Sequence, residues 1–103
     1  MKKIINKKMY DTEKALLLAE YWNGLGGNDF RNILEHLYIT NKGHFFLHCS
    51  GGALTEYAET NGRNSWGSQT IIALSKDETY KWLEKNNEVE VIAKYFADCI
   101  DEA

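Results

Sequence analysis

Hydrophobic positions come in short runs separated by glycine, asparagine and aspartate. Proline is absent, so turns must be built from residues such as Gly, Asn, Asp and Ser. The opening stretch Lys2-Lys3-Ile4-Ile5-Asn6-Lys7-Lys8-Met9-Tyr10 predicts a short hairpin turning at Asn6-Lys7, because Asn tolerates positive φ. Asp11 or Thr12 then predicts a helix N-cap, with Glu13 in the first turn where the helix dipole favours an acid. Ala15, Leu16, Leu17, Leu18, Ala19, Tyr21 and Trp22 surround most of a helix circumference, which predicts a central buried helix. Asn23-Gly24 would end it.

Residues 31–40 and 44–50 flank Asn41-Lys42-Gly43, and glycine at the third loop position suits a type I turn closed by a G1 bulge. A loop of that type sets the register. Thr40 should oppose His44, with the pairs Ile39–Phe45, Tyr38–Phe46, Leu37–Leu47, His36–His48 and Glu35–Cys49 following. One face would carry Leu37, Ile39, Phe45 and Leu47 as core. The other, weaker face would carry Tyr38, Phe46 and the three histidines.

Gly51-Gly52 should break the second strand, and residues 53–59 predict two turns of helix. Residues 61–68 read as a polar loop around Trp66, and residues 69–74 as a strand. Ser75-Lys76-Asp77-Glu78 has the form of a capping box. The last helix should be capped by Asn86 or Asn87 and carry a stripe of Val89, Ile92, Ala93, Phe96, Cys99 and Ile100. The expected architecture is a single α+β domain over residues 1–103. An antiparallel sheet of two hairpins plus one strand rests on the buried helix, with two C-terminal helices.

Composition supports a globular chain: 103 residues, 44% hydrophobic and 26% charged. The net charge of −3 argues against direct binding of nucleic acid. No apolar run approaches the roughly 20 residues of a membrane helix, and the start lacks a signal-peptide core, so a cytoplasmic location and no membrane contact are expected. Charge is uneven: residues 1–14 carry +3, and residues 75–103 carry −4. Cys49 and Cys99 read as reduced, buried thiols.

Several constellations bear on chemistry. His36 and His48 would be cross-strand neighbours about 5 Å apart at Cβ, near enough to share a metal. A closed site needs four ligands, and Cys49 faces the other way, so no metal and no cofactor are expected. Cys49-Ser50-Gly51-Gly52 sits where a strand ends, beside His48, which opens a cysteine or hydrolytic reading around His48, Cys49 and Ser50. No G-x-S-x-G elbow supports it, and neighbours on a strand point opposite ways. The glycine-rich stretches lack the spacing of a phosphate loop. The acidic C-terminal quarter reads either as a solvated face or as a negative surface able to occupy a nucleic-acid channel on a protein. Its carriers would be Glu84, Glu88, Glu90, Asp98, Asp101 and Glu102, with Trp66 as an aromatic anchor.

Several segments resemble a family of roughly hundred-residue proteins of phages, plasmids and conjugative elements. They are Lys8-Met9-Tyr10-Asp11-Thr12-Glu13, Trp22-Asn23-Gly24, Asp29-Phe30-Arg31, Leu37-Tyr38, Gly43-His44-Phe45-Phe46-Leu47-His48, Gly51-Gly52-Ala53 with Tyr57-Ala58, and Ile71-Ile72-Ala73-Leu74-Ser75 with Trp82-Leu83-Glu84. The resemblance covers about residues 1–85. Cys49 stands where the family pattern leads one to expect glycine. Small mobile-element proteins of this kind include anti-CRISPR inhibitors. The resemblance therefore implies a non-enzymatic inhibitor that binds a Cas effector, or another nucleic-acid-handling complex, and blocks nucleic-acid binding or nuclease action. The alternative is a small regulatory or assembly module, monomeric or homodimeric.

Overall fold

A computed structural model describes every residue except Gly27, Gly62, Arg63, Glu102 and Ala103, and describes Thr60, Asn61, Asn64, Ser65 and Trp66 by their backbone alone. The chain opens with β1 (Lys2–Ile5) and β2 (Lys8–Asp11), paired antiparallel with Ile5 opposite Lys8. Asn6 and Lys7 both have positive φ, at 50° and 66°, the geometry a two-residue hairpin turn demands.

The predicted central helix is instead the strand β3 (Leu16–Trp22). Asp11 does accept the Glu13 N–H on Oδ1 at 3.0 Å, but it closes one turn rather than starting a helix. The same side-chain geometry serves both purposes, so the cap signal is ambiguous. Helix preference among these residues amounts to tenths of a kcal/mol each. Pairing along β4 (Ile33–Ile39) outweighs it, running from Leu16 opposite Ile39 to Trp22 opposite Leu34 with a bulge between Leu17 and Ala19. Far from being buried, the segment is a sheet edge with Leu16, Leu17 and Trp22 exposed.

β4 and β5 (Phe45–Gly51) take the expected register, with Ile39 opposite Phe45 and His36 opposite His48. Gly43 has φ +83°, and the Thr40 N–H donates to the His44 carbonyl at 2.8 Å. Residues 53–58 form turns, not the expected two-turn helix: Leu54 N–H is drawn to Phe30 O at 2.7 Å, outside any helical ladder. The backbone of the expected loop pairs as a small hairpin, β6 (Glu59–Asn61) with β7 (Asn64–Trp66). β8 (Ser68–Leu74) then completes a four-stranded antiparallel sheet in the order β3-β4-β5-β8.

Two helices close the chain. In α1 (Lys76–Lys85) both hydrogen bonds of the Ser75–Glu78 capping box form. α2 (Val89–Tyr95) starts after Glu88 rather than Asn86 or Asn87, and stops short of the predicted Ile100. Phe96 leaves helical geometry, with φ −132°, and stacks on Phe45 at 5.5 Å between centroids. A 3₁₀ turn, Ala97–Cys99, follows. The fold is thus α+β as expected, without the buried helix.

Both faces of the sheet are covered, unequally. Leu37, Phe45, Leu47 and Cys49 pack under Leu83, Ile92 and Phe96 of the helical layer. Phe46, expected on the weaker face, is fully buried. It lies under the N-terminal hairpin, with Tyr10 edge-on at 5.4 Å and Tyr38 stacked at 5.1 Å. Burial of such a ring is worth about 1.5–3 kcal/mol.

Candidate functional site

Of the acidic residues singled out in the sequence, Glu84, Glu88, Glu90, Asp98 and Asp101 lie in the C-terminal helical layer or just after it. Within α1, Asp77 pairs with Lys81 at 3.1 Å, one helical turn on. The Ser75 backbone N–H holds the Glu78 carboxyl below the ordinary range. Glu84 is exposed, and its carboxylate accepts from the Tyr80 hydroxyl, which raises that phenol above its usual value. Glu88 is half-buried at the start of α2, and Glu90 is exposed in its first turn, where the backbone N–H groups favour negative charge. Asp98 is exposed in the 3₁₀ turn, and Asp101 is exposed beyond it. Among the described residues Glu88, Glu90, Asp98 and Asp101 form no ion pair. Glu102 lies outside the described residues. Trp66 belongs to β7, a different element, and its side chain also lies outside them.

The structure adds apolar groups to this layer that the pattern placed in the core. Val89 and Ile100 are 63% and 45% exposed, and Cys99 is exposed. Because the helix ends at Tyr95, the stripe fixes only Ile92 and Phe96 inside, and its two ends emerge among carboxylates. The only sequence signal was Glu88 and Glu90 flanking Val89 directly.

On the opposite face His36 and His48 stack, with ring centroids 6.3 Å apart and planes 25° from parallel. Each Nε2 already has a partner at 2.8 Å, Glu20 Oε2 for His36 and Gln69 Oε1 for His48. His44 is exposed near the hairpin turn. Among the described residues no three His, Cys, Asp or Glu side chains converge as metal ligands.

Cys49 is fully buried, and desolvation pushes its thiol up to about 11, despite a hydrogen bond with Tyr57. At neutral pH it is a thiol and not the thiolate that nucleophilic attack requires. Around it lies a polar knot that the pattern did not reveal. The Tyr57 hydroxyl donates to Glu35 Oε2, and the Trp82 indole N–H donates to Glu35 Oε1 at 2.9 Å. Desolvation and the Glu35 hydrogen bond raise the Tyr57 phenol. This knot ties β4 to α1 and so holds the helical layer on the sheet.

Beyond β5 the Gly51-Gly52 break opens a cleft of about 900 Å³ toward Asn32, Ser50 and Gln69, with the Asp29 carboxylate as the charged group among its described lining residues. The backbones meet so closely there that a Cβ on Gly52 would lie 2.6 Å from the Phe30 carbonyl oxygen, which is why glycine is needed. Among the described residues no helix is long and apolar enough to cross a membrane.

Comparison of the chain with protein-family models, with curated proteins and with solved structures gives no match.

Proposed function

We propose that the protein is a non-enzymatic inhibitor that docks through its C-terminal helical layer onto a basic, nucleic-acid-handling protein, with a Cas effector as the first partner to test. The observation that carries this reading is the intermixing of unpaired carboxylates, Glu88, Glu90, Asp98 and Asp101, with exposed Val89 and Ile100. Carboxylates on a helical scaffold steer approach to a positive surface, and apolar side chains among them supply contact area once water leaves. The segment resemblance to mobile-element proteins supports the choice of partner.

The test is capture of purified effectors by the immobilised protein, alongside interference assays in cells. The triple variant Glu84→Lys, Glu88→Lys, Glu90→Lys should lose capture, and rising salt should weaken it in the parent. Unchanged inhibition by the triple variant would remove the helical layer from the mechanism. Absence of binding to any effector, with interference intact, would remove the reading.

A second reading, an assembly module, is favoured by the edge strand β3, which is paired along one side only and carries exposed Leu16, Leu17 and Trp22. Light scattering over a concentration series separates the two. Association that vanishes in Leu17→Lys would favour assembly.

A further inference from the structure

A second cavity, of about 430 Å³, lies between the N-terminal hairpin and the turn joining β4 to β5. Its volume is in the range of small-molecule sites. Three features of its lining belong together chemically. The first is a set of four exposed lysines, Lys7, Lys8, Lys14 and Lys42. Among the described residues none of these ammonium groups makes an ion pair. They are concentrated on a chain whose net charge is −3. The second is an apolar wall from Met9, Tyr10 and Ala15. The third is Asp11, only 5% exposed, whose Oδ1 accepts the Glu13 N–H at 3.0 Å. Its Oδ2 is buried, with no hydrogen-bond partner among the described residues. A buried acceptor without a donor is destabilising, so a ligand that brings an N–H group there recovers the lost hydrogen bond.

We propose that this pocket binds a nucleoside polyphosphate. The lysines take the phosphate oxygens, the apolar wall takes the flat base, and Asp11 Oδ2 accepts an N–H from the base edge. A simple anion would satisfy the lysines and leave Asp11 orphaned. An acidic peptide would place its own carboxylates against Asp11. A long nucleic acid would have to lie along an acidic protein, whereas a mononucleotide meets only the basic pole. The proposal is independent of the helical layer, since none of the lysines involved lies in it.

The experiment is titration of the full chain with ATP and GTP, using calorimetry and amide NMR shifts, with tripolyphosphate and a single-stranded oligonucleotide as comparison probes. Expected is saturable binding of at least one nucleotide, with shifts at Lys8, Tyr10 and Lys42. The affinity should exceed that for tripolyphosphate by about tenfold or more. Lys8→Ala with Lys42→Ala, both at exposed positions, should weaken nucleotide binding by about tenfold or more. Asp11→Asn, checked by its melting curve, should bring nucleotide affinity down to that of tripolyphosphate. No saturable nucleotide binding at low salt would overturn the proposal. So would equal affinity for tripolyphosphate in the parent chain, or binding of the oligonucleotide alone.

Discussion

The helical layer and the N-terminal hairpin both cover the sheet, but by different means. The helices lay Leu83, Ile92 and Phe96 across one face and tie themselves down through Trp82 and Glu35. The hairpin covers part of the other face with Tyr10 over Phe46 and Ile71. It is latched to the sheet by Lys3 Nζ to Thr70 Oγ1 at 3.0 Å, and its own open end is closed by the Met1 ammonium donating to Thr12 Oγ1 at 2.8 Å. Their outer surfaces also differ in sign, with carboxylates on one and lysines on the other. A single sheet thus separates two poles of opposite charge. Any partner that favours one pole should be repelled by the other, which lets the two surfaces be tested independently.

The largest effect is expected from Phe46→Ala, which empties the smaller core. A loss of about 3–5 kcal/mol should appear in denaturant unfolding. If the hairpin is a separable cover, hydrogen exchange will speed up first at β1 and β2 while α1 stays protected. Leu83→Ala should cost about 2–5 kcal/mol and reverse that order of exposure. Equal loosening of both layers in both variants would mean that the coverings form one cooperative unit.

A smaller effect is expected at the start of α1. Ser75→Ala removes the side-chain half of the capping box and should cost about 1 kcal/mol. Glu78 titrates below its ordinary 4.5, so its contribution is fully present above that pH and disappears as the pH falls further. The parent should therefore lose α1 protection in acid more steeply than Glu78→Gln.

The smallest effect on stability, though a clear chemical one, concerns the two thiols. Exposed Cys99 should alkylate readily in the native state, and buried Cys49 only on unfolding. Burial favours the neutral form of Cys49, so its contribution holds below pH 9.0 and is lost as the pH rises toward about 11. Mass spectrometry after native labelling should show a single adduct. Two adducts at neutral pH would mean that the helical layer opens locally above β5.

The register of β4 and β5 was legible because a three-residue loop ending in glycine leaves only one pairing. The capping box of α1 was legible because its donors and acceptors lie within four residues. The N-terminal turn followed for the same reason. The acidic carriers could be named from the chain, but not their exposed neighbours Val89 and Ile100, since that depended on where Phe96 was drawn into the core. The Glu35–Tyr57–Trp82 knot joins residues 22 and 47 positions apart in the chain and has no local signature.

The amino-acid sequence alone determined the two hairpin turns at Asn6-Lys7 and Asn41-Lys42-Gly43, the cap of α1, the central hairpin and the separation of charge between the two ends, because each depends on neighbouring residues or on simple counting. Tertiary structure alone decided that residues 16–22 become a strand, that Phe46 is covered, and that buried Asp11 shares a pocket lining with four lysines. Each of these rests on hydrogen bonds and buried area contributed by distant segments, whose free energies exceed the tenths of a kcal/mol by which local preference distinguishes helix from strand.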